Sequence, residues 1–268
     1  QRDRPYPQFN EVMSLARAWG NSSYHALNIK LEKRYSHGLN LLMNYTWSKF
    51  LDDVEGLNEL AGEEGNGYTH IERRGLDKSF SGNHIPHRYV VSSVYDVPYG
   101  KGRRWAPPSR LLDSILGGWG VGVIGELRAG APYGVIEQTN RTNTFSHGQR
   151  PNLLRDPAIR DSRSTTDMLS RYFDTAAFQT AGVGNFGNAA RNVGLGPGYI
   201  GIDMTVHKNW HLTERYTLQL RGDFFNMPNR ANFGSPATLF GRGDFGRIAS
   251  LSPGATAREI QLSLRLEF

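Results

Sequence analysis

Cysteine is absent from the 268 residues, which excludes disulfide frameworks, thiolate zinc sites and thiol catalysis. It says little about compartment, since oxidising and reducing compartments both hold cysteine-free proteins. Long apolar runs are lacking as well, and no stretch approaches the roughly 20 apolar residues of a membrane-crossing helix. The opening QRDRPYPQFN carries no apolar signal region, so either the chain is soluble or its true start lies upstream. Charge of one sign is not concentrated: 31 Lys+Arg face 25 Asp+Glu for a net charge of +6, and the arginines are spread rather than gathered into a stripe. No nucleic-acid partner is expected from that distribution. What remains is a chain long enough to bury a sizeable core, with 38% hydrophobic and 11% aromatic residues and 31 glycines.

The hydrophobic residues recur with period two. In the last thirteen residues Ile260, Leu262, Leu264, Leu266 and Phe268 alternate with Gln261, Ser263, Arg265 and Glu267, the pattern of a strand with one apolar face. Residues 198–212 place Ile200, Ile202, Met204, Val206, Trp210 and Leu212 on one face, and only Lys208 breaks the alternation. From 214 to 226, Tyr216, Leu218, Leu220 and Phe224 oppose Arg215, Thr217, Gln219, Arg221 and Asp223, so a tight turn is expected at Thr213. Leu27, Ile29, Leu31 and Tyr35 oppose Asn28, Lys30, Glu32 and Arg34; after a short SHG link, Leu39, Leu41, Met43, Tyr45 and Trp47 oppose Asn40, Asn44, Thr46 and Ser48. Residues 86–97 read as a weaker strand, 118–136 as one long strand bent at 130–132 with Trp119, Val121, Val123, Leu127, Ala129, Tyr133 and Val135 on its apolar side, and 9–19 as a first strand. The prediction is about eight long antiparallel strands, with no helix beyond a turn at 110–116.

The connections sort by length. If strands run up and down, the links at 36–38, 98–116 and Thr213 fall on one rim, and the long polar segments 52–84, 139–196 and 227–255 fall on the other. Short periplasmic turns with long extracellular loops are the asymmetry of an outer-membrane barrel. On periodicity alone a soluble sandwich with its apolar faces inward is equally compatible. Loop sorting and strand length together decide, because several runs exceed the roughly 5 to 6 residues usual in soluble sheets and reach the roughly 9 to 11 of a tilted membrane strand. Trp47, Tyr95, Trp119, Trp210, Tyr216 and Phe268 then fall near strand ends, as aromatic girdles require. The fold class predicted is all-β, an antiparallel up-and-down transmembrane barrel in contact with outer-membrane lipid. Lys30, Glu32, Arg34, Glu126, Arg128, Arg215, Arg221, Asp223, Arg265 and Glu267 would line its lumen, solvated or paired.

Motifs of chemistry are weak. GVGNFG (182–187) and GRGDFG (241–246) match a dinucleotide fingerprint, yet neither follows a buried parallel strand nor opens a helix, so they read as loop glycines. His207 and His211 have the spacing of a helical zinc pair, but on a strand they stand roughly 13 Å apart. His84 and His87 lack an obvious third ligand. The acidic stretch Asp52, Asp53, Glu55, Glu59, Glu63 and Glu64 lacks the ligand spacing of a calcium loop and reads as solvated surface. The tripeptide Arg242-Gly243-Asp244 carries no weight. No nucleophile elbow, phosphate loop or obligatory carboxylate pair is present, so neither an enzyme activity nor a cofactor is expected.

The runs RPYPQF, NSSYHALNIKLEKRYSHGLNLLMNYTWSKFLDD, HRYVVSSVYDVPYGKGRR, LGGWGVGVIGELRAGAPY and RNVGLGPGYIGIDMTVHKNWHLTERYTLQLRGDFFNMPNRANFG resemble the C-terminal barrel of Oar-like TonB-dependent outer-membrane receptors, many of which open with a carboxypeptidase regulatory-like domain. The resemblance is strongest over 23–53 and 194–234 and rests on barrel features, not on residues that bind a solute. It implies uptake of an unknown bulky solute, coupling to the TonB complex through a plug and TonB box, and assembly through a terminal aromatic strand, here Ile260, Leu262, Leu264, Leu266 and Phe268, presented to the barrel-assembly machinery. A signal peptide, a plug and earlier strands are implied but not found within 1–268. The chain is therefore expected to be a C-terminal fragment of a barrel of about 22 strands, unable to transport alone because an open sheet leaves edges unpaired. The alternative is a complete eight-stranded barrel acting as adhesin or anchor, in which 9–19 would pair with 256–268.

Overall fold

Alternation of apolar and polar side chains on β-branched and aromatic-rich runs favours extended backbone with two unlike faces, and among the described residues seven long strands form where the sequence alternates. The structure, a computed structural model, describes residues 20–53, 74–139, 141–142 and 149–268. The strands are β1 (Ser22–Ser36), β2 (Leu39–Asp52), β3 (His87–Asp96), β4 (Trp119–Arg128), β5 (Tyr199–His211), β6 (Thr217–Phe225) and β7 (Glu259–Glu267). Each pairs antiparallel with the next in sequence, giving one up-and-down sheet in the order β1 to β7. The predicted strand at 9–19 and the acidic residues Glu55, Glu59, Glu63 and Glu64 lie outside the described residues.

Register keeps the two faces apart across the whole sheet. One row runs Ile29, Tyr45, Tyr89, Leu127, Ile200, and another runs Leu41, Ser93, Val123, Met204, Phe224, Ile260. No second layer covers this face among the described residues. Leu27, Ile29, Leu262 and Leu264 are 52–76% exposed, and the buried hydrophobic residues Tyr133, Val135, Phe173, Ala177, Phe178, Ala189 and Ile248 all belong to connections rather than to the seven strands. A soluble sandwich would bury the strand residues instead. Hydrocarbon is the environment that satisfies an uncovered apolar face on strands whose interior neighbours pair on both sides.

The rims differ as the connection lengths require. On the short side, His37 and Gly38 both take positive φ, 55° and 80°, the two-residue turn whose twist matches the flanking strands. A Cβ at Gly38 would meet the Asp96 carbonyl oxygen at 2.5 Å, so only glycine fits there. The second turn is longer than predicted: β6 begins at Thr217, because Thr213 Oγ1 accepts from the Arg215 and Tyr216 amides and closes residues 212–216 on themselves. Between β3 and β4 a short helix, α1 (Arg110–Leu116), starts at Ser109, whose side chain accepts from the Leu112 amide.

Two expectations about the long side need correction. Residues 118–136 are not one strand: β4 stops at Arg128, and Pro132–Tyr133 turns away to pair with Gly194–Leu195. Tyr133 and Val135, expected on the lipid face, are 6% and 0% exposed inside a cluster with Phe173, Ala177 and Phe178. The long connections are accordingly a packed cap. Ile136–Glu137 pairs in parallel with Leu239–Phe240, and Asn152–Leu153 pairs with Phe178–Gln179. A second helix, α2 (Thr165–Ser170), is capped by Ser164, which accepts from the Asp167 amide and donates to its carboxylate. The glycines of both G-x-G-x-x-G stretches lie in the connections, outside the seven strands, with positive φ at Gly182, Gly184, Gly241 and Gly246.

Candidate functional site

Two surfaces could contact a solute: the polar face of the sheet and the cap above its long-loop rim. On the polar face the charged residues form short ladders along individual strands, because residues two apart on a strand share a face. Glu32 accepts from Lys30 at 2.8 Å and from Arg34 at 3.0 Å. Glu126 pairs with Arg88 across the strands at 2.9 Å and lies 3.9 Å from Arg128, whose guanidinium sits 5.1 Å from the Tyr199 ring centroid. Asp223 receives Arg221 at 2.8 Å and the Thr205 hydroxyl at 2.6 Å. Arg265 reaches Glu267 at 3.4 Å. A depression of about 260 Å³ lies between Lys30, Glu32, Asn40, Leu42, Ser92 and Val94.

Arg215 departs from its expected place. It lies in the turn 212–216, exposed, rather than on the wall, because the Thr213 hydroxyl holds that segment as a turn. Arg88 and Thr205 were missed by the sequence reading. Their strands were legible, but only cross-strand register places them beside Glu126 and Asp223. Ile124, 63% exposed, also sits on the polar face, opposite Ser92 and Asp203. Ile260, Leu262, Leu264 and Leu266 share the apolar face of β7, and Phe268 follows it at 95% exposure.

The cap is tied to the rim of the wall by buried ion pairs. Arg191 donates to the Asp52 carboxylate and, at 3.2 Å, to its carbonyl. Arg150 pairs with Asp77 and donates to the Leu76 carbonyl at 3.1 Å. Burial pulls the Arg150 guanidinium below its ordinary value, and the adjacent Asp77 opposes that. Asn192 donates to the Phe80 carbonyl at 2.7 Å and exchanges bonds with Ser79, its amide donating to the Ser79 hydroxyl and its carbonyl accepting from it. Breaking a buried pair from one side leaves an uncompensated charge, so these contacts fix where the cap stands.

His84 packs at the same rim. It stacks on Phe80 at 4.5 Å between centroids, and its Nδ1 accepts from the Phe50 amide at 3.2 Å. Burial, aided by Lys49, holds its pKa below the usual imidazole range. A depressed imidazole contributes stability above its unfolded value of about 6.5, and loses it as pH falls through that value toward the folded one. Hydrogen exchange at Phe50 is expected to lose protection as pH falls below about 6.5, and His84→Ala to remove that pH dependence. Protection that is flat with pH in the unsubstituted chain would contradict the assignment.

Among the described residues no group of three or more histidine, aspartate or glutamate side chains is placed to hold a metal ion. No helix there is long and apolar enough to cross a membrane. No curated protein matches the chain. The uncovered apolar face, the sequential antiparallel order and the sorted loops agree with the family profile described as an outer membrane beta barrel domain, which matches residues 1–261, and the chain belongs to that family of bacterial outer-membrane proteins.

Proposed function

We propose that this chain forms wall, lumen lining and extracellular cap of a TonB-dependent, Oar-like receptor that takes up a bulky solute without enzymatic chemistry or a cofactor. The resemblance over 23–53 and 194–234 carries the reading, and the sheet path is compatible with it: β1 and β7 pair with one neighbour each among the described residues and not with each other. Lipid does not tolerate unpaired edges, so more than these seven strands complete the wall. A strand at 9–19 would close the eight-stranded alternative, whereas plugged barrels have about 22 strands. In this reading the paired charges at Glu32, Glu126 and Asp223 keep the inner wall hydrated. The cap offers the solute its first contact, and the energy-coupling contacts with TonB fall to other parts of the polypeptide.

Capture from native outer membranes tests this. The polypeptide that carries this sequence, detected with an antibody against the cap, is expected to be retained by an immobilised periplasmic domain of TonB. A folded species near 30 kDa that TonB does not retain would overturn the proposal and leave a small barrel acting as adhesin or anchor.

A further inference from the structure

The connection between β3 and β4 is the long one on the short-turn rim. Across 98–118 it carries Lys101, Arg103, Arg104 and Arg110 against the single acid Asp113, and all four cations are exposed. Arg103 leans toward Asp96 at 3.9 Å; among the described residues the other three pair with no carboxylate, and Arg104 lies 5.7 Å from the Trp105 ring centroid. Within this segment α1 stacks Leu111 with Ile115 and Leu112 with Leu116, one turn apart. These four side chains are 78, 62, 39 and 45% exposed, and Trp105 nearby is 54% exposed. A seven-residue helix that buries none of its residues does not persist in water on propensity alone.

Its C-terminal end is what the wall holds. Trp210 Nε1 donates to the Ser114 carbonyl at 2.9 Å and Trp119 Nε1 to the Ile115 carbonyl at 2.9 Å. Lys208 Nζ donates to the carbonyls of Ile115 at 3.0 Å and Gly117 at 2.5 Å. These are the orphan acceptors that every helix end leaves. The Lys208 ammonium lies 5.1 Å and 5.0 Å from the Trp119 and Trp210 ring centroids. By register, Trp119, Lys208 and Trp210 belong to the same outer face as Val206 and Leu218. The one cation that interrupts the alternation of β5 therefore fastens α1 against the outside of the wall. A lysine on a lipid-facing strand surface is destabilising unless its charge is satisfied in this way.

The geometry points to segment 98–118 as an interfacial anchor that lays α1 along the periplasmic leaflet of the outer membrane, with its leucine and isoleucine stripe among acyl chains and Lys101, Arg104 and Arg110 on anionic phospholipid headgroups. The occupant follows from continuity and charge. The stripe adjoins Trp119 and Trp210 at the edge of the lipid-facing surface, so the bilayer that covers that surface reaches α1. The basic excess of the segment complements anionic headgroups beside an amphipathic helix. The inference rests on the short-turn rim being periplasmic.

The cysteine-free chain permits single labels in the intact protein, reconstituted in phosphatidylcholine bilayers with and without phosphatidylglycerol. Spin labels at Leu111→Cys and Ile115→Cys are expected to collide with oxygen more than with a water-soluble nickel chelate, and a label at Glu214→Cys in the other turn to show the reverse. Leu264→Cys reports the barrel itself and must read as lipid for the comparison to count as insertion. A fluorophore at position 111 should be quenched by brominated phosphatidylglycerol about fivefold more than by brominated phosphatidylcholine, the scale of one basic residue's attraction to an anionic surface. Replacing Lys101, Arg104 and Arg110 together by glutamine should remove that preference. Chelate-dominated collisions at 111 and 115 overturn the anchor. So does protection from both reagents, which would mean that a protein covers α1, and equal quenching by the two lipids overturns the headgroup contact.

Discussion

Leu262→Arg is expected to cost about 2–4 kcal/mol of barrel stability, the penalty of an arginine near the bilayer midplane on a lipid-facing strand position. Ser263→Arg, one residue further on, should change stability by no more than about 0.5 kcal/mol, as substitutions at solvated positions do. Both sites lie in the middle of β7, and Leu262 is 76% exposed opposite Gly222. Neither substitution creates a cavity, breaks an ion pair or removes a backbone hydrogen bond; Ser263→Arg does stand opposite Arg221, whose charge Asp223 holds at 2.8 Å in a hydrated face that screens the pair. The difference between them isolates the medium each face meets. Urea unfolding in lipid vesicles measures it, and equal losses at 262 and 263 would remove the assignment of that face to hydrocarbon.

The wall was legible in the sequence because its information is local. Once one face of a strand meets lipid, every second residue is constrained, and Leu27 to Tyr35 or Ile260 to Phe268 display the constraint without reference to any other strand. The short ladders Lys30, Glu32, Arg34 and Arg221, Asp223 were visible as spacings of two. The cap was not legible, because its order is set by long-range contacts without a period. Phe173, Phe178, Phe240 and Phe245 come from two separate connections and meet through ring contacts, and the spacing of these residues along the chain is irregular. Tyr133 and Val135 continue the alternation of β4 and so read as lipid-facing, yet the chain has already left the sheet at Arg128. The helix α2 did carry a local signal, since Ser164 and Asp167 are spaced as a capping box ahead of Met168 and Leu169. Arg215 shows the converse error: the alternation ran on through a turn that a single threonine hydroxyl closes. Lys208 broke the pattern in the sequence, and the break marked the point where a second element, α1, meets the wall.

Phe173→Ala is expected to unfold the cap while leaving the wall intact. Phe173 is 1% exposed. Its ring stacks on Tyr133 at 5.2 Å and meets Phe178 and Phe245 edge-on at 5.7 Å and 5.1 Å, so it sits at the centre of contacts from three stretches of chain. Truncating a buried phenylalanine costs about 3–5 kcal/mol, and the cap is small. Its core is one cluster of five buried residues with partly buried neighbours, so a loss of that size exceeds what the remaining contacts restore. The strands share none of these side chains. Their pairing depends on the ladder and the bilayer, and the cap reaches them through Arg191 and Asp52 at the rim. Trypsin added to intact cells or to oriented vesicles should therefore cut the variant at Arg155, Arg160, Arg163 or Arg171, which flank the cluster, while the folded barrel keeps its heat-modifiable mobility. Phe173→Leu keeps most of the volume and should cost about 1 kcal/mol, with intermediate cleavage. Loss of heat-modifiable mobility together with cleavage would show that wall and cap fold as one unit, and an uncut cap in Phe173→Ala would show that the cluster does not hold it.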